Sequence, residues 1–207
     1  MVTDIFAGAC AGIAQVAVGH PLDTIKVHLQ NKYPLPKFKL LYRGYRYPLV
    51  YALAYNSLIF PIVTRSSLPE YQSGFLAGMA VTPLAFFFDL CKVKRQTQQP
   101  IGTHLLWHRG FRMAFLRETI AMSAYFSSYY ELKNHIKPLY AGGLAGLINW
   151  TLTYPIDVIR NRQFAQNCVI REAIRQRNFW RGYSFCALRA VLVNTAIFAT
   201  YEFVDSS

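Results

Sequence analysis

Pro21-Leu22-Asp23-Thr24-Ile25-Lys26-Val27-His28-Leu29-Gln30 sets a proline, an acid two residues on and a base three beyond that at the end of an apolar segment. Versions of this stretch return at Phe87–Gln96 and Pro155–Phe164. A proline inside a helical pattern kinks the helix, and charge on so apolar a segment is costly enough to need a role. Other landmarks keep register with it. Gly8, Gly12, Asp23, Lys26, Gln30 and Gly44 recur 66 residues later as Gly74, Gly78, Asp89, Lys92, Gln96 and Gly110. Gly142, Gly146, Asp157 and Arg160 lie 68 residues beyond their second copies, and Gly182 lies 72 beyond Gly110. Two apolar segments per unit at such a period make a repeat architecture. The reading is an all-α membrane protein. Six transmembrane helices form three tandem helix pairs, 1–69, 70–136 and 137–207, around a pseudo-threefold axis.

Composition agrees. Of the 207 residues 53% are apolar and 15% charged, and a soluble protein carries about 25% charged residues. The net charge of +12 raises nucleic-acid binding, but its distribution argues otherwise. Of 22 Lys and Arg, 17 fall in 26–46, 92–112 and 160–181, each window following an apolar segment. That is the one-sided loop charge of a membrane protein.

The pattern predicts odd helices near 3–29, 71–96 and 138–163 and even helices near 45–64, 111–133 and 183–204. Linkers at Leu35–Leu41, Pro100–Trp107 and Val169–Arg177 leave room only for short surface helices. The pairs Gly8/Gly12, Gly74/Gly78 and Gly142/Gly146 have the Gly-x-x-x-Gly spacing that lets helices approach closely. Cys10, Cys91, Cys168 and Cys186 show no paired spacing and read as free thiols. No cleavable signal precedes the first apolar segment, so targeting information is expected to be internal. The histidines form no motif with Cys or acids, and neither a phosphate loop nor a nucleophile arrangement is present, so no enzyme, cofactor or metal is expected.

The chain resembles the mitochondrial carrier family, whose mark is Pro-x-Asp/Glu-x-x-Lys/Arg in three tandem repeats. Pro21, Asp23 and Lys26 match it, as do Pro155, Asp157 and Arg160. The middle copy keeps Asp89 and Lys92 but has Phe87 for the proline, with Pro83 one turn earlier. The resemblance implies a multi-pass, monomeric antiporter of the mitochondrial inner membrane. In it Asp23–Lys92, Asp89–Arg160 and Asp157–Lys26 bridges shut the matrix side, braced by Gln30 and Gln96, while Phe164 takes the third brace position. Pro21 and Pro155 would be the kinks. A plainer reading leaves these charges as interfacial, snorkelling side chains. Tyr42-Arg43-Gly44, His108-Arg109-Gly110 and Trp180-Arg181-Gly182 resemble the family's cardiolipin-binding motif, and an aromatic-belt anchor is the alternative.

Arg117, Glu118 and Arg189 sit seven or eight residues past the motif glycines, at positions that in the family contact substrate. An arginine can hold a carboxylate while a glutamate holds a cation, unless Arg117 and Glu118 pair structurally. Tyr51 takes the first contact position and could stack on a ring or a cation. Val18-Gly19-His20-Pro21-Leu22-Asp23-Thr24-Ile25-Lys26-Val27, Asn56-Ser57-Leu58-Ile59-Phe60 and the stretch from Arg189 resemble the carnitine and basic amino acid carriers, and Arg117-Glu118-Thr119-Ile120 also resembles the S-adenosylmethionine carrier, so the expected cargo is a small zwitterionic or cationic metabolite. A nucleotide carrier is the rival, and Glu118 speaks against it. A membrane scaffold without transport and a basic nucleic-acid-binding protein stand as readings from other classes. The outer-gate positions Val63, Thr64, Ser67, Tyr129, Tyr130, Lys133, Tyr201, Glu202 and Asp205 hold no complete ion pair, which predicts a weak outer gate and a resting outward-open state.

Overall fold

The computed structural model describes residues 2–51, 68–101 and 109–193. Among these the chain is helical, with no strand. Its elements are α1 (Val2–Gln30), a 3-10 turn (Phe38–Leu40), α2 (46–51), α3 (Glu70–Gln96), α4 (Phe111–Leu132), α5 (Pro138–Gln166), α6 (Ile170–Arg175) and α7 (Tyr183–Val193). The remainder of the expected first and third even helices, and most of the middle linker, lie outside the described residues. The two described linkers hold the 3-10 turn and α6, short elements where short ones were expected.

The long odd-numbered helices end alike. Lys32, Gln98 and Asn167 take left-handed φ values of 58°, 59° and 51° one or two residues past α1, α3 and α5. A left-handed residue stops a helix by turning its last carbonyls aside. Glycine is usual there, so the stop was not legible in Lys or Gln. Each of these helices also carries an internal proline, Pro21, Pro83 or Pro155, and remains one helix through it.

Close packing follows the small residues. A Cβ on Gly74 would lie 2.7 Å from the Met122 carbonyl oxygen, and one on Gly78 2.7 Å from Thr119 Cα. The middle glycine pair therefore brings the α3 and α4 backbones into contact. α4 packs on α5 as well. α7 reaches α1 at Gly19, where a Cβ would meet Val193 at 2.9 Å and Arg189 at 3.2 Å. Gly142 and Gly146 have no such close neighbour among the described residues.

One described helix, Tyr71–Gln96, is long and apolar enough to cross a membrane by length and composition. Polar side chains interrupt α4 and α5, including Arg117 and Glu118 on α4 and Asn149, Asp157 and Arg160 on α5. On the outer face of α5 Leu144, Leu147 and Leu152 are exposed, while Arg117, Glu118, Asp157 and Arg160 turn inward. This is an inside-polar, outside-apolar arrangement suited to lipid.

Candidate substrate site and ion-pair ring

The three motif stretches bring their charges together where α1, α3 and α5 converge. Lys92 Nζ donates to Asp23 Oδ2 at 2.7 Å. Arg160 Nη1 stands 2.9 Å from Asp89 Oδ2, and Lys26 Nζ stands 2.8 Å from Asp157 Oδ2. An acid and a base three apart lie on one face of a helix, so each helix offers its acid to one neighbour and its base to the other. The result is a closed cycle. Lys26 and Arg160 are buried, which a snorkelling charge would not be.

The cycle is unequally supported. At the seam of α5 and α1, Gln30 Nε2 donates to Asp157 Oδ2 at 3.2 Å, and Asn161 Nδ2 donates to Gln30 Oε1 at 2.6 Å. Arg160 Nη2 adds a 2.8 Å contact to Asp157 Oδ1. Gln30 thus touches the ion pair it was expected to brace. Gln96 does not: its Nε2 donates to Thr24 Oγ1 at 2.9 Å, tying α3 to α1 beside the ring. Phe164, at the third such position, packs on the Phe86 ring at 5.7 Å and lies under the Arg160 guanidinium at 5.5 Å.

A further belt of bonds lies two residues past the ring bases. Arg162 is fully buried. It donates from Nε to the Gln30 carbonyl (3.0 Å), from Nη1 to that of Ala173 (2.9 Å) and from Nη2 to that of Arg177 (2.7 Å). A cation at helix C-termini satisfies carbonyls that have no helical partner. His28 stands at the equivalent place on α1, with Nδ1 2.7 Å from the Pro34 carbonyl and Nε2 3.0 Å from that of Gln96.

Above the ring lies a cavity of about 410 Å³, with Asp23, Asp89, Asp157 and their partners among its lining. Arg117, Glu118, Arg189 and Tyr51 all line it. The expected contact residues therefore share one space. They are not free of the ring, however. Glu118, 1% exposed, takes both Arg117 Nη1 and Arg160 Nη1 on its Oε1, the second at 3.2 Å. Arg189 Nε approaches Asp23 Oδ1 at 2.8 Å. Neighbouring positions on a helix point about 100° apart, but these side chains are long enough to curl into one cavity. The pairing of Arg117 with Glu118, entertained from sequence as the plainer alternative, is what forms. Tyr51 meets the Phe88 ring at 5.9 Å.

Sequence reading missed Trp150, whose ring carries Lys26 Nζ at 4.3 Å and the Arg117 guanidinium at 4.9 Å. It missed Gln15 and Asn149 in the same wall. Their signal was available: each stands eight residues before its ring acid, Asp23 or Asp157, and so on the same helix face. Of the outer-gate positions, Tyr129 stacks on Tyr125 and Lys133 Nζ sits 3.7 Å over the Tyr130 ring. The other six lie outside the described residues.

The motif glycines divide. Gly44 and Gly182 take φ of 86° and 87°, a region where only glycine is unstrained. Gly110, by contrast, sits at −77°. The backbone carbonyls of the motif bases are used internally: His20 Nε2 reaches Arg43 O at 3.0 Å, Tyr154 donates to Arg181 O at 3.0 Å and Gln163 to Arg109 O at 3.4 Å. Cys91, Cys168 and Cys186 are free. In the linker after α5, burial pushes the Cys168 thiol pKa up, which keeps it protonated and unreactive.

The profile of the family described as mitochondrial carrier protein matches residues 1–40 and 135–207, more than half of the chain. The chain belongs to that family. Members are transporters, and this carrier is a multi-pass protein of the mitochondrial inner membrane. It is 29% identical to the human mitochondrial basic amino acids transporter, over 99% of this chain and 90% of that one. It is 28% identical to the mitochondrial arginine transporter BAC2 of Arabidopsis thaliana, over 96% and 89%. A mitochondrial carnitine/acylcarnitine carrier-like protein of the same plant is 24% identical, over 99% and 97%. The human alignment spans 274 positions against 207 residues here, so that relative carries segments this carrier lacks.

Proposed function

We propose that this carrier exchanges a small zwitterionic or cationic metabolite by alternating access, with six membrane-spanning helices in three repeats, 1–69, 70–136 and 137–207. The ring of Asp23, Lys26, Asp89, Lys92, Asp157 and Arg160 is its matrix gate, with Gln30 as a brace. Gln96 acts on the gate only through Thr24. The single observation behind this reading is that the two charged contact points lean on the ring, Glu118 on Arg160 and Arg189 on Asp23.

Coupling follows from that contact. A ligand shifts a conformational equilibrium only by its differential affinity for the two states. A substrate carboxylate that takes Arg189 withdraws it from Asp23, and a substrate cation that takes Glu118 withdraws it from Arg160. Two of the three pairs then lose a neighbour as substrate binds, and the ring opens at lower cost. Pro21 and Pro155, two residues before the ring acids, each remove a backbone hydrogen bond and supply bend points. The motif residues Arg43, Gly44, Arg109, Gly110, Arg181 and Gly182 would hold the phosphates of an anionic lipid such as cardiolipin at the linker-to-helix turns. The carrier acts as a monomer, and its incomplete outer gate rests open.

Exchange into proteoliposomes tests this. Vesicles preloaded with lysine, arginine, ornithine, carnitine, S-adenosylmethionine or ATP should exchange at least one amine-bearing solute. Glu118→Gln should lower that exchange at least tenfold. Exchange of ATP alone would replace this reading with a nucleotide carrier.

A further inference from the structure

The cavity's charges can be counted, and the count limits the cargo. The three ring acids and three ring bases cancel. What remains among the lining residues is one acid, Glu118, against Arg117 and Arg189. Among the described residues no other acid lines it. Residues 45–64 contain no Asp or Glu. Asp4 and Glu70 each precede a ring acid by 19 residues, about 28 Å along a helix. Glu131 follows Glu118 by 13 residues on the same helix, about 20 Å away.

The unfilled bonding capacity has the same composition. Glu118 is buried with its Oε2 unpartnered, the one charged acceptor left for a cation, beside a neutral one at Asn161 Oδ1. Arg189 meets Asp23 through Nε, and its two Nη atoms have no partner among the described residues, so they can take a carboxylate as a fork. A second substrate cation would have to turn to ring acids that already hold bases: Asp23 has Lys92 and Arg189, Asp157 has Lys26 and Arg160, and Asp89 has Arg160. It would also add to a cavity whose charges outside the ring already sum to +1. An unpaired charge of this kind is how a site rejects a near relative of its ligand.

We infer that this carrier takes solutes with one carboxylate and one cationic group, and discriminates against dibasic amino acids, unlike the relatives whose names carry those solutes. The inference rests on the transport reading above. The sharpest probe is the pair L-citrulline and L-arginine, similar in size and different by one side-chain charge, with carnitine as a second single-cation solute. In homo-exchange by reconstituted carrier, the better of citrulline and carnitine should exceed arginine, lysine and ornithine at least tenfold in kcat/KM. Tyr51→Glu, which adds an acid to the cavity wall on the first even helix, should raise arginine exchange relative to citrulline. Arginine exchanged by the unaltered carrier as fast as the single-cation solutes would overturn the inference and leave the transport reading standing. A folded protein that exchanges none of these solutes would overturn both.

Discussion

The seam between α5 and α1 and the seam between α3 and α5 close the same ring with different chemistry. At the first, Lys26 and Asp157 are embedded in polar support from Gln30, Asn161 and Arg160. Arg162 locks the helix end below. At the second, the residue before the motif proline position is Phe86 instead of His20 or Tyr154, and the brace position is Phe164 instead of glutamine. The two phenylalanines meet at 5.7 Å, and Phe86 meets Phe111 at 5.2 Å. They share an apolar cluster with Val27, Leu90, Val93 and Ala114. The changes are matched: an apolar residue in the donor position has an apolar residue facing it. What both seams keep is the ion pair, so the charge is the invariant of the design and the brace is negotiable. The α3–α5 pair is also the more solvent-accessible, with Asp89 24% exposed against 1% for Asp157.

That contrast orders the expected effects. Asp157→Ala removes the carboxylate shared by Lys26 and Arg160 and should cost about 3–5 kcal/mol, the range for breaking a buried pair, read as lost thermal stability in detergent. Phe164→Gln buries an amide opposite Phe86 and should cost about 1–3 kcal/mol. Combining it with Phe86→His, which restores a polar partner, should recover part of that loss. Gly182→Ala should cost about 1–2 kcal/mol from its left-handed φ, and more from the 3.2 Å approach of a Cβ to the Tyr154 hydroxyl. Gly110→Ala, at an ordinary φ, should cost less than half as much. Asp89→Asn should be the mildest ring substitution, because Arg160 keeps Asp157 and Glu118. An Asp89→Asn loss equal to that of Asp157→Ala would mean that the seams are energetically alike.

The sequence carried the ring, because three acids and three bases at a fixed period leave few ways to pair. It also carried α3, α4 and α5 to within a few residues. It did not carry where Gln96 would turn. A glutamine brace and a glutamine bonded to Thr24 look the same until the helix faces are fixed, and Thr24 reaches Gln96 because α1 and α3 pack with those residues facing each other. Nor did it carry the curl of Arg117 onto Glu118, which depends on side-chain length more than on helical direction. The helix stops at Lys32 and Gln98 were hidden for a third reason. Neither residue favours left-handed backbone, so packing of the linker imposes it. The same period that revealed the ring would have revealed Gln15 and Asn149, had polar residues been compared at equal offsets from the ring acids.

The gate itself is tested by unidirectional efflux from preloaded proteoliposomes with no external counter-substrate. A ring that stays shut until substrate loosens it holds the unaltered carrier to strict exchange, while Asp157→Asn, with its best-supported pair weakened, should leak the preloaded solute at least tenfold faster. Strict coupling retained by a folded, exchange-competent Asp157→Asn would contradict the assignment of these ion pairs as the barrier.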